Sequence, residues 1–359
     1  MRKTYKYRLY PTKEQEEKIQ FTLERCRLLY NRLLDERRFA YDTDNTTLNY
    51  YDQATTLNER KKYIPALKQV HSQVLQDVLK RLDKAFQAFF RRVKQGEAPG
   101  YPRFKSAGRY DSFTYPQCGY SINANKLALS KIGKVKIKLH RQPQGKIKTC
   151  TVVVKNGKYY VCLSCEVEPN ILPESKETVG IDLGVKHLAI TSGGEFYEHP
   201  KFLRESERKL HRKQRSLSRK KNGSARRRKA VRELAREHEH IANQRRDYAH
   251  KVSRKLVNGY GLIAFENLNV QGMVKNHHLA KSIVDASWNQ LVQCTTYKAE
   301  EAGRRVVLVD PKNTSQLCSN CGEIVPKKLS DRVHRCEYCG YVQDRDANAA
   351  QNILKRALA

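Results

Sequence analysis

The chain has 359 residues and carries 70 lysine and arginine residues against 37 acidic ones, a formal net charge of +33 at pH 7. This excess indicates a polyanionic partner, nucleic acid rather than membrane, because the sequence has no long apolar run and no amphipathic anchor. The basic and aromatic residues 1–10 lack the apolar core of a secretion signal, and ten cysteines in such a chain favour thiols and metal ligands over disulfides.

The first quarter of the sequence is predicted to be helical after one short strand. Residues 2–10 alternate like a β-strand, and Pro11 and Thr12 are typical of a helix start. Between residues 14 and 93 the apolar side chains recur with helical spacing, which predicts the buried faces of a helix bundle. The helical block is therefore interpreted as an insertion after a first edge strand.

A change of composition at residue 96 marks the next segment, which is rich in glycine, proline and aromatic residues. Alternating runs predict strands at residues 134–139, 148–155 and 159–168, with residues 156–157 as a hairpin turn. We interpret this segment as a small β-barrel. Its interleaved lysines and tyrosines suit phosphate contacts and base stacking, although a solvated strand surface has the same composition.

Residues 177–191 are interpreted as one buried strand, followed by a turn at residues 193–194 and a returning strand. Asp182 would then lie mid-strand among apolar residues, where a carboxylate is costly to bury unless it is paired or holds a metal. The flanking Gly180 and Gly184 lack the side chains that would keep a metal or a phosphate backbone at a distance. A structural aspartate at a bend is the alternative interpretation.

The most basic part of the chain spans residues 201–257. Two long helical segments are predicted there, separated by residues 222–224, and the second opens with Arg226, Arg227 and Arg228. A helical hairpin with so much positive charge would repel itself without a polyanion beside it. These three arginines are therefore candidate nucleic-acid contacts, and a solvated charged face is the alternative.

Two further carboxylates follow at distinctive places. Glu266 lies in the short apolar run of residues 261–268, a pattern typical of a central parallel strand with a functional residue at its carboxyl end. Asp346 opens an alanine-rich helix, where a carboxylate also serves as an N-terminal cap. A strand centre, a strand end and a helix start converge in a ribonuclease-H-like fold. Asp182, Glu266 and Asp346 therefore predict a site for a pair of divalent ions.

Two Cys-x-x-Cys pairs precede the helix of Asp346. They are Cys318 with Cys321 and Cys336 with Cys339. Four thiolates at this spacing suit a closed tetrahedral zinc site with a structural role. A redox pair is the alternative, and the presence of two pairs in one ribbon disfavours it. Because the ribbon lies directly before that helix, bound zinc would help to place the third carboxylate.

Seven short segments together carry a resemblance that spans essentially the whole chain. They are residues 7–11, 101–105, 180–184, 265–268, 314–322, 336–340 and 344–350. The last three are similar to the C-terminal signature of the TnpB (OrfB) proteins, which bacterial and archaeal insertion sequences encode. The others resemble the opening segments and the first two acidic motifs of that family. Asn313 departs from the pattern, since many relatives carry an aromatic residue there.

The resemblance implies an α+β multidomain protein. Its expected parts are a β-barrel wedge domain (residues 1–10 and 96–175), a helical recognition domain (11–95), a ribonuclease-H-like (RuvC) nuclease domain (176–313 and 342–359, with a basic helical hairpin at 201–257) and an inserted zinc ribbon (314–341).

The resemblance also implies a nuclease related to the type V CRISPR effectors. Such a protein uses an RNA from its transposon end to cut double-stranded DNA beside a short adjacent motif, as one chain with one guide RNA and without a membrane. Gln76, Thr114 and Tyr115 are candidate DNA contacts, and we expect a location in the bacterial or archaeal cytoplasm, at the nucleoid. A guide-dependent repressor without cleavage and an RNA-independent transposase or resolvase are the alternatives.

The matching motifs assign roles to the acidic residues. Asp182, Glu266 and Asp346 would bind two Mg²⁺ or Mn²⁺ ions that activate a water and stabilise the departing 3′ oxygen. Asp344 is the weaker catalytic candidate. Arg345 either neutralises developing charge or contacts a phosphate, and a plain ion pair with Asp344 is the alternative.

Overall fold

The chain divides after Glu168 into two units, Met1–Glu168 and Pro169–Ala359. The computed structural model describes residues 1–328 and 331–359. None of the helices in these residues combines the length and the apolar character that a membrane span requires.

The first unit, all of which the structure describes, combines one sheet with a helical block. Its strands are β1 (Arg2–Tyr10), β2 (Ser112–Tyr115), β3 (Tyr120–Asn123), β4 (Lys126–Leu129), β5 (Gly133–Lys138), β6 (Lys146–Lys155) and β7 (Lys158–Glu166). Its helices are α1 (Lys13–Asp44), α2 (Tyr50–Thr55), α3 (Leu57–Tyr63) and α4 (Ser72–Lys94), with a 3₁₀ turn at Pro65–Gln69. As the sequence predicts, Thr12 caps α1 by accepting a hydrogen bond from the backbone N–H of Gln15.

The strands of this unit form one sheet in the order β2-β6-β7-β1-β5-β4-β3. Alternate residues of β1, namely Tyr5, Tyr7 and Leu9, point into a core shared with the helices, as a period of two requires. Asn156 and Gly157, both with positive φ, form the two-residue turn between β6 and β7. Primed turns of this kind match the twist of the flanking strands, so the predicted hairpin is confirmed.

The predicted β-barrel is wrong, because the sheet of the first unit is open. Its edge strands β2 and β3 have no pairing with each other among residues 1–168. Arg81 of α4 donates hydrogen bonds to the Ser112 carbonyl and to the Thr114 hydroxyl of β2. A helix covering an edge strand is an alternative to closure, and here α4 takes that place.

The second unit is built around a smaller mixed sheet. Its strands are β8 (Thr178–Asp182), β9 (His187–Thr191), β10 (Phe196–Glu198), β11 (Leu262–Glu266), β12 (Arg305–Val309), β13 (Val333–Arg335) and β14 (Val342–Asp344). Its helices are α5 (Phe202–Ser218), α6 (Ala225–Gly259), α7 (Val270–Met273), α8 (His277–Ala286), α9 (Trp288–Ala302) and α10 (Arg345–Leu358). The sheet order is β10-β9-β8-β11-β12, in which β8, β11 and β12 are parallel, and β13 and β14 form a separate hairpin.

Both faces of this sheet are covered by helices. Val179 and Ile181 of β8 and Ile263 and Phe265 of β11 point into a core formed with α6, α8 and α9. On the opposite face, Ala264 belongs to a small core completed by α10. Because side chains alternate along a strand, Gly180, Asp182 and Glu266 share the face of Ala264.

The interpretation of residues 177–191 as one strand is wrong. The chain turns after Asp182 and returns as β9, which pairs with β8 through Ile181 with Thr191 and Asp182 with Ile190. Periodicity alone does not locate a tight turn inside a long apolar run. Asp182 therefore lies at the carboxyl end of a strand, not at its centre.

Candidate functional site

Asp182 and Glu266 end two neighbouring parallel strands on the same face of the sheet. The pairing of β8 with β11 sets Gly180 opposite Ala264 and Ile181 opposite Phe265, so the next step along both strands brings Asp182 beside Glu266. Neighbouring strands lie about 4.8 Å apart. In an open sheet of this kind, ligands bind at the carboxyl ends of parallel strands.

Gly180 allows α10 to pack directly on β8. A Cβ atom at this position would lie 2.0 Å from the Ala350 carbonyl oxygen and 2.6 Å from the Leu354 amide nitrogen. Gly180 thus makes room for a helix, and the interpretation that it makes room for a metal or a phosphate is wrong. Asp182 lies two residues beyond Gly180 along β8, and Asp346 lies one helical turn before Ala350 along α10; both distances are roughly 6–7 Å. The contact of Gly180 with Ala350 therefore brings Asp182 close to Asp346.

Asp344, and not Asp346, is the N-terminal cap of α10. Its carboxylate accepts hydrogen bonds from the backbone N–H groups of Asp346 and Ala347 at 2.9 and 3.1 Å. The carboxylate of Asp346 is therefore not engaged as the cap. It pairs instead with the Arg345 guanidinium at 2.8 Å and lies 3.8 Å from that of Arg332, so the expected pairing of Arg345 with Asp344 is replaced by one with Asp346.

The charges of these acids act on one another. Burial raises the pKa of Asp182 well above its ordinary value, and the negative charges of Glu266, Asp346 and Asp344 raise it further, while Arg345 opposes them. Burial also raises the pKa of Glu266, whose side chain is 8% exposed. A buried carboxyl with a raised pKa beside other acids, as at Asp182, is typical of a site that a cation stabilises.

Thr314 holds the second acid in place and was not singled out from the sequence. Its hydroxyl donates a hydrogen bond to Oε1 of Glu266, and this bond lowers the pKa of that carboxyl against the effect of burial. The Thr314 carbonyl in turn accepts from Nδ2 of Asn352 on α10 at 2.9 Å. Glu266, the segment before the first cysteine pair and α10 are thus linked through one residue.

The four cysteines lie together. The Sγ atoms of Cys318, Cys321, Cys336 and Cys339 are all within 4.8 Å of one another, with 3.6 Å between Cys321 and Cys336 and 3.7 Å between Cys318 and Cys339. Sulfurs placed about 2.3 Å from a central zinc at tetrahedral corners are about 3.8 Å apart, so the cluster fits that ion. The Tyr341 backbone N–H and the Asn320 side chain lower the pKa of Cys339 to about 6, which favours a thiolate.

The carboxylates are less closely gathered than the sulfurs. Within residues 1–328 and 331–359, the cysteine cluster is the one group of three or more potential metal ligands drawn this close. Ligands of a two-ion site are spread around a pair of ions about 4 Å apart, so such a site does not require the tight grouping of a single-ion cluster.

Buried amides dock the ribbon on α10, and sequence reasoning missed them. Asn348 accepts from the Ser319 backbone N–H at 2.9 Å and donates to the Leu317 carbonyl at 2.8 Å. Asn352, one turn later, donates to the same Leu317 carbonyl. Two asparagines spaced by four on an alanine-rich helix were a usable signal, because buried amides need partners. The ribbon is thereby fixed to the helix that carries Asp346.

A basic cleft of about 590 Å³ lies next to the acids. Among the residues that the structure describes, its charged lining consists of five cations, Lys186, Lys201, Arg204, Lys281 and Arg332, and two acids, Glu207 and Asp285. Arg332 also approaches Asp346. A concave surface with several cations concentrates anionic ligands.

The candidate DNA contacts of the first unit differ in exposure. Gln76 is exposed on α4. Thr114 is half-buried and bonded to Arg81 and Thr151. Tyr115 is 1% exposed, and its hydroxyl donates to the Ser130 carbonyl. A tyrosine in this position packs the core and offers no surface to a nucleic acid.

The three arginines at the start of α6 also differ in their exposure and contacts. Arg227 donates to the carbonyls of Leu217 and Lys220 and so caps the end of α5. Arg226 is exposed, and Arg228 is exposed with one hydrogen bond to the Gly223 carbonyl. The described structure therefore leaves Arg226 and Arg228 as surface cations and gives Arg227 a structural contact.

Three families match parts of the chain. Residues 160–277 match a family described as "Probable transposase", residues 288–353 match the Cas12f1-like TNB domain, and residues 1–46 match a family described as a helix-turn-helix domain. In this chain residues 1–46 contain a strand and one long helix, β1 and α1.

Proteins of similar sequence cover the whole chain. The chain is 36% identical to a "Putative RNA-guided DNA endonuclease" of Streptomyces pristinaespiralis over 100% of this chain and 90% of that relative. It is 34% identical to one of the same description, InsQ, of Escherichia coli K12 over 98% and 91%. A solved structure of the mini-RNA-guided endonuclease Cas_phi3 is similar in fold, with a TM-score of 0.53, 10% identity and coverage of 100% and 92%.

Proposed function

The chain belongs to the TnpB (OrfB) family, and from this premise we propose that it is a transposon-encoded, RNA-guided DNA endonuclease. The observation that carries the proposal is the meeting of Asp182, Glu266 and Asp346, from two strand ends and one helix start, in an otherwise strongly basic chain. The partners we propose are a guide RNA and double-stranded target DNA. Base pairing would select the sequence, while the basic surfaces follow the backbones.

The strand order of the second unit supports a RuvC-type assignment. Three antiparallel strands are followed by two that lie parallel to the first, with helices on both faces. We propose that residues 176–313 and 342–359 form the nuclease domain, with the zinc ribbon inserted at residues 314–341. Residues 1–10 and 96–168 would then form the wedge module, as an open sheet, and residues 11–95 the recognition module. Residues 169–175, expected in the wedge, fall in the second unit.

The three acids suit a pair of Mg²⁺ or Mn²⁺ ions, because carboxylate oxygens are the hard ligands that these ions prefer. The bound ions would activate a water and stabilise the leaving oxygen. The charges of both Glu266 and Asp346 act on Asp182, so Asp182 would hold the ions together with these two acids. Thr314 holds Glu266, and α10 presents Asp346 from its first turn.

We assign a structural zinc ion to the four cysteines, because their spacing fits a tetrahedral site and no position is left for a reacting water. Replacing Cys339 with serine should release about one equivalent of zinc per chain and loosen the ribbon that is bonded to α10. Metal analysis of freshly purified, active protein checks this, and active protein without zinc would contradict it.

Exchange of the guide tests the proposed function. The protein is purified with its transposon-end RNA, and the guide segment of that RNA is replaced. Cleavage should move to the newly matched DNA beside the same adjacent motif, while an Asp346→Asn complex binds that DNA without cutting it. Cleavage that stays at the old site, or that persists after removal of all RNA, would favour an RNA-independent transposase or resolvase. Binding with no cleavage by the native protein would favour a repressor.

A further inference from the structure

A second cleft, of about 430 Å³, opens at Glu266. Leu183, the residue after Asp182, and Glu266 are both in its wall. The remaining wall comes from the segment that follows β11, from the first turns of α9 and from β12. The cleft therefore begins at Glu266 and at the residue next to Asp182, at the carboxyl edge of the sheet.

The lining of this cleft is almost free of charge. Glu266 is its one charged residue among the described ones, although 30% of the chain is charged and the basic cleft nearby has several cations. The described residues of this wall thus carry no positive charge that would attract a phosphate. A phosphodiester placed here would lose its hydration without gaining a counter-charge.

The wall instead combines apolar surface with amides. Leu268, Val270, Val292 and Leu308 supply apolar surface, and Leu308 is 51% exposed, while Leu183 and Trp288 are buried. The amides are Asn267, Asn269, Gln271 and Asn289. Asn269 is used locally, since its Oδ1 accepts from the Gly272 N–H. Asn267, Gln271 and Asn289 are exposed, and each offers a donor and an acceptor side by side.

Of the parts of a nucleotide, the base matches this lining. A base is uncharged and flat, with apolar faces and an edge of donors and acceptors that asparagine and glutamine recognise. The size of the cleft also falls in the range of small-ligand sites. We propose that this cleft is a nucleobase subsite, which holds the base of a nucleotide next to the cut phosphodiester in the DNA strand. The inference rests on the proposed function and adds a protein contact to a base at the point of cutting.

Abasic substitution in the strand that is not paired with the guide tests the subsite without weakening the guide pairing. Each of the two nucleotides on either side of the mapped cut is replaced in turn by a tetrahydrofuran analogue, in the native protein–RNA complex. One flanking position should lose about tenfold in cleavage rate, the effect of one stacked base. Equal cutting of all the abasic strands would overturn the subsite and leave guided cleavage standing. Failure to cut the unmodified strand would instead count against the proposed function.

Amide variants show whether the contact lies in this cleft. Asn289→Ala and Asn267→Ala should slow cutting of the intact strand several-fold and leave the sensitive abasic strand unchanged, whereas Gln293→Ala, exposed on α9 outside the cleft, should alter neither. Equal slowing of both strands by the amide variants would place the base elsewhere. As a measurement independent of activity, 4-thiothymidine at the sensitive position should crosslink to residues 267–271 or 288–292 in the Asp346→Asn complex. A crosslink confined to other segments would overturn the assignment.

Discussion

The cysteine cluster and the carboxylate site of the second unit reach their geometry by different routes. The four sulfurs come from two short knuckles about fifteen residues apart and lie within 4.8 Å of one another. The three carboxylates come from residues 182, 266 and 346: strand pairing sets Asp182 beside Glu266, and α10 brings Asp346 to them by packing on the sheet without an intervening side chain. The geometry of a site made by local turns depends mainly on its ligands and the turns that carry them. The geometry of a site made by packing also depends on residues, such as Gly180, that bind no metal.

Gly180→Ala should break the carboxylate site and spare the cysteines, the largest effect that we expect from this comparison. The added methyl would lie 2.0 Å from the Ala350 carbonyl oxygen, so α10 has to move and Asp346 moves with it. Such overpacking costs roughly 1–3 kcal/mol, and a displacement near 1 Å lowers cleavage on the order of a hundredfold. Cleavage rate, thermal unfolding and zinc content measure the three consequences.

Gly193→Ala is the matched control, because a new Cβ there would have the Thr191 hydroxyl as its nearest neighbour at 3.8 Å, an ordinary contact. A Gly180→Ala protein that cut DNA at the native rate would show that α10 does not set the position of Asp346.

Thr314→Val should lower cleavage about 10- to 100-fold, the range for residues that orient metal ligands. Valine keeps the shape of threonine but removes the hydroxyl that donates to Glu266. Thr314→Ser keeps that hydroxyl and should restore most of the activity. Apparent affinity for Mn²⁺ should weaken in the valine variant alone, with zinc content and DNA binding unchanged in both. Indistinguishable valine and serine variants would mean that the hydrogen bond has no positioning role.

The smallest expected effect is on stability as a function of pH. The pKa of Asp182 is raised in the folded chain, so the folded state holds its proton to higher pH than the unfolded state does. The contribution of Asp182 to the free energy of unfolding is therefore greatest below the ordinary carboxyl pKa and falls as pH rises through the raised one. Asp182→Asn should flatten this fall and raise Tm at pH 8 by roughly 2–4 °C without divalent ions. A variant with the native pH dependence would assign the fall to other groups.

The cysteine site can be predicted from the sequence more completely than the carboxylate site, because its ligands are close together in the sequence. Cys-x-x-Cys spacing is local, so the ligands and geometry of the ribbon follow from it directly. The acids follow from motif resemblance, but the turn after Asp182, the cap at Asp344 and the contact of Gly180 with Ala350 depend on tertiary packing. The open edge of the first sheet was missed for a similar reason, since Arg81 and β2 are distant in sequence.

Binding of Mn²⁺ to the zinc-loaded protein tests most directly whether the three acids form one metal site. Titration calorimetry of the native chain is compared with that of Asp182→Asn, Glu266→Gln and Asp346→Asn, with Asp331→Asn as a control acid in the ribbon. The native and control proteins should bind Mn²⁺ at the same sites, and each of the three acid variants should lose at least one ion or most of its affinity, with zinc retained. Unchanged Mn²⁺ binding in all three variants would contradict the assignment of these acids to a common metal site.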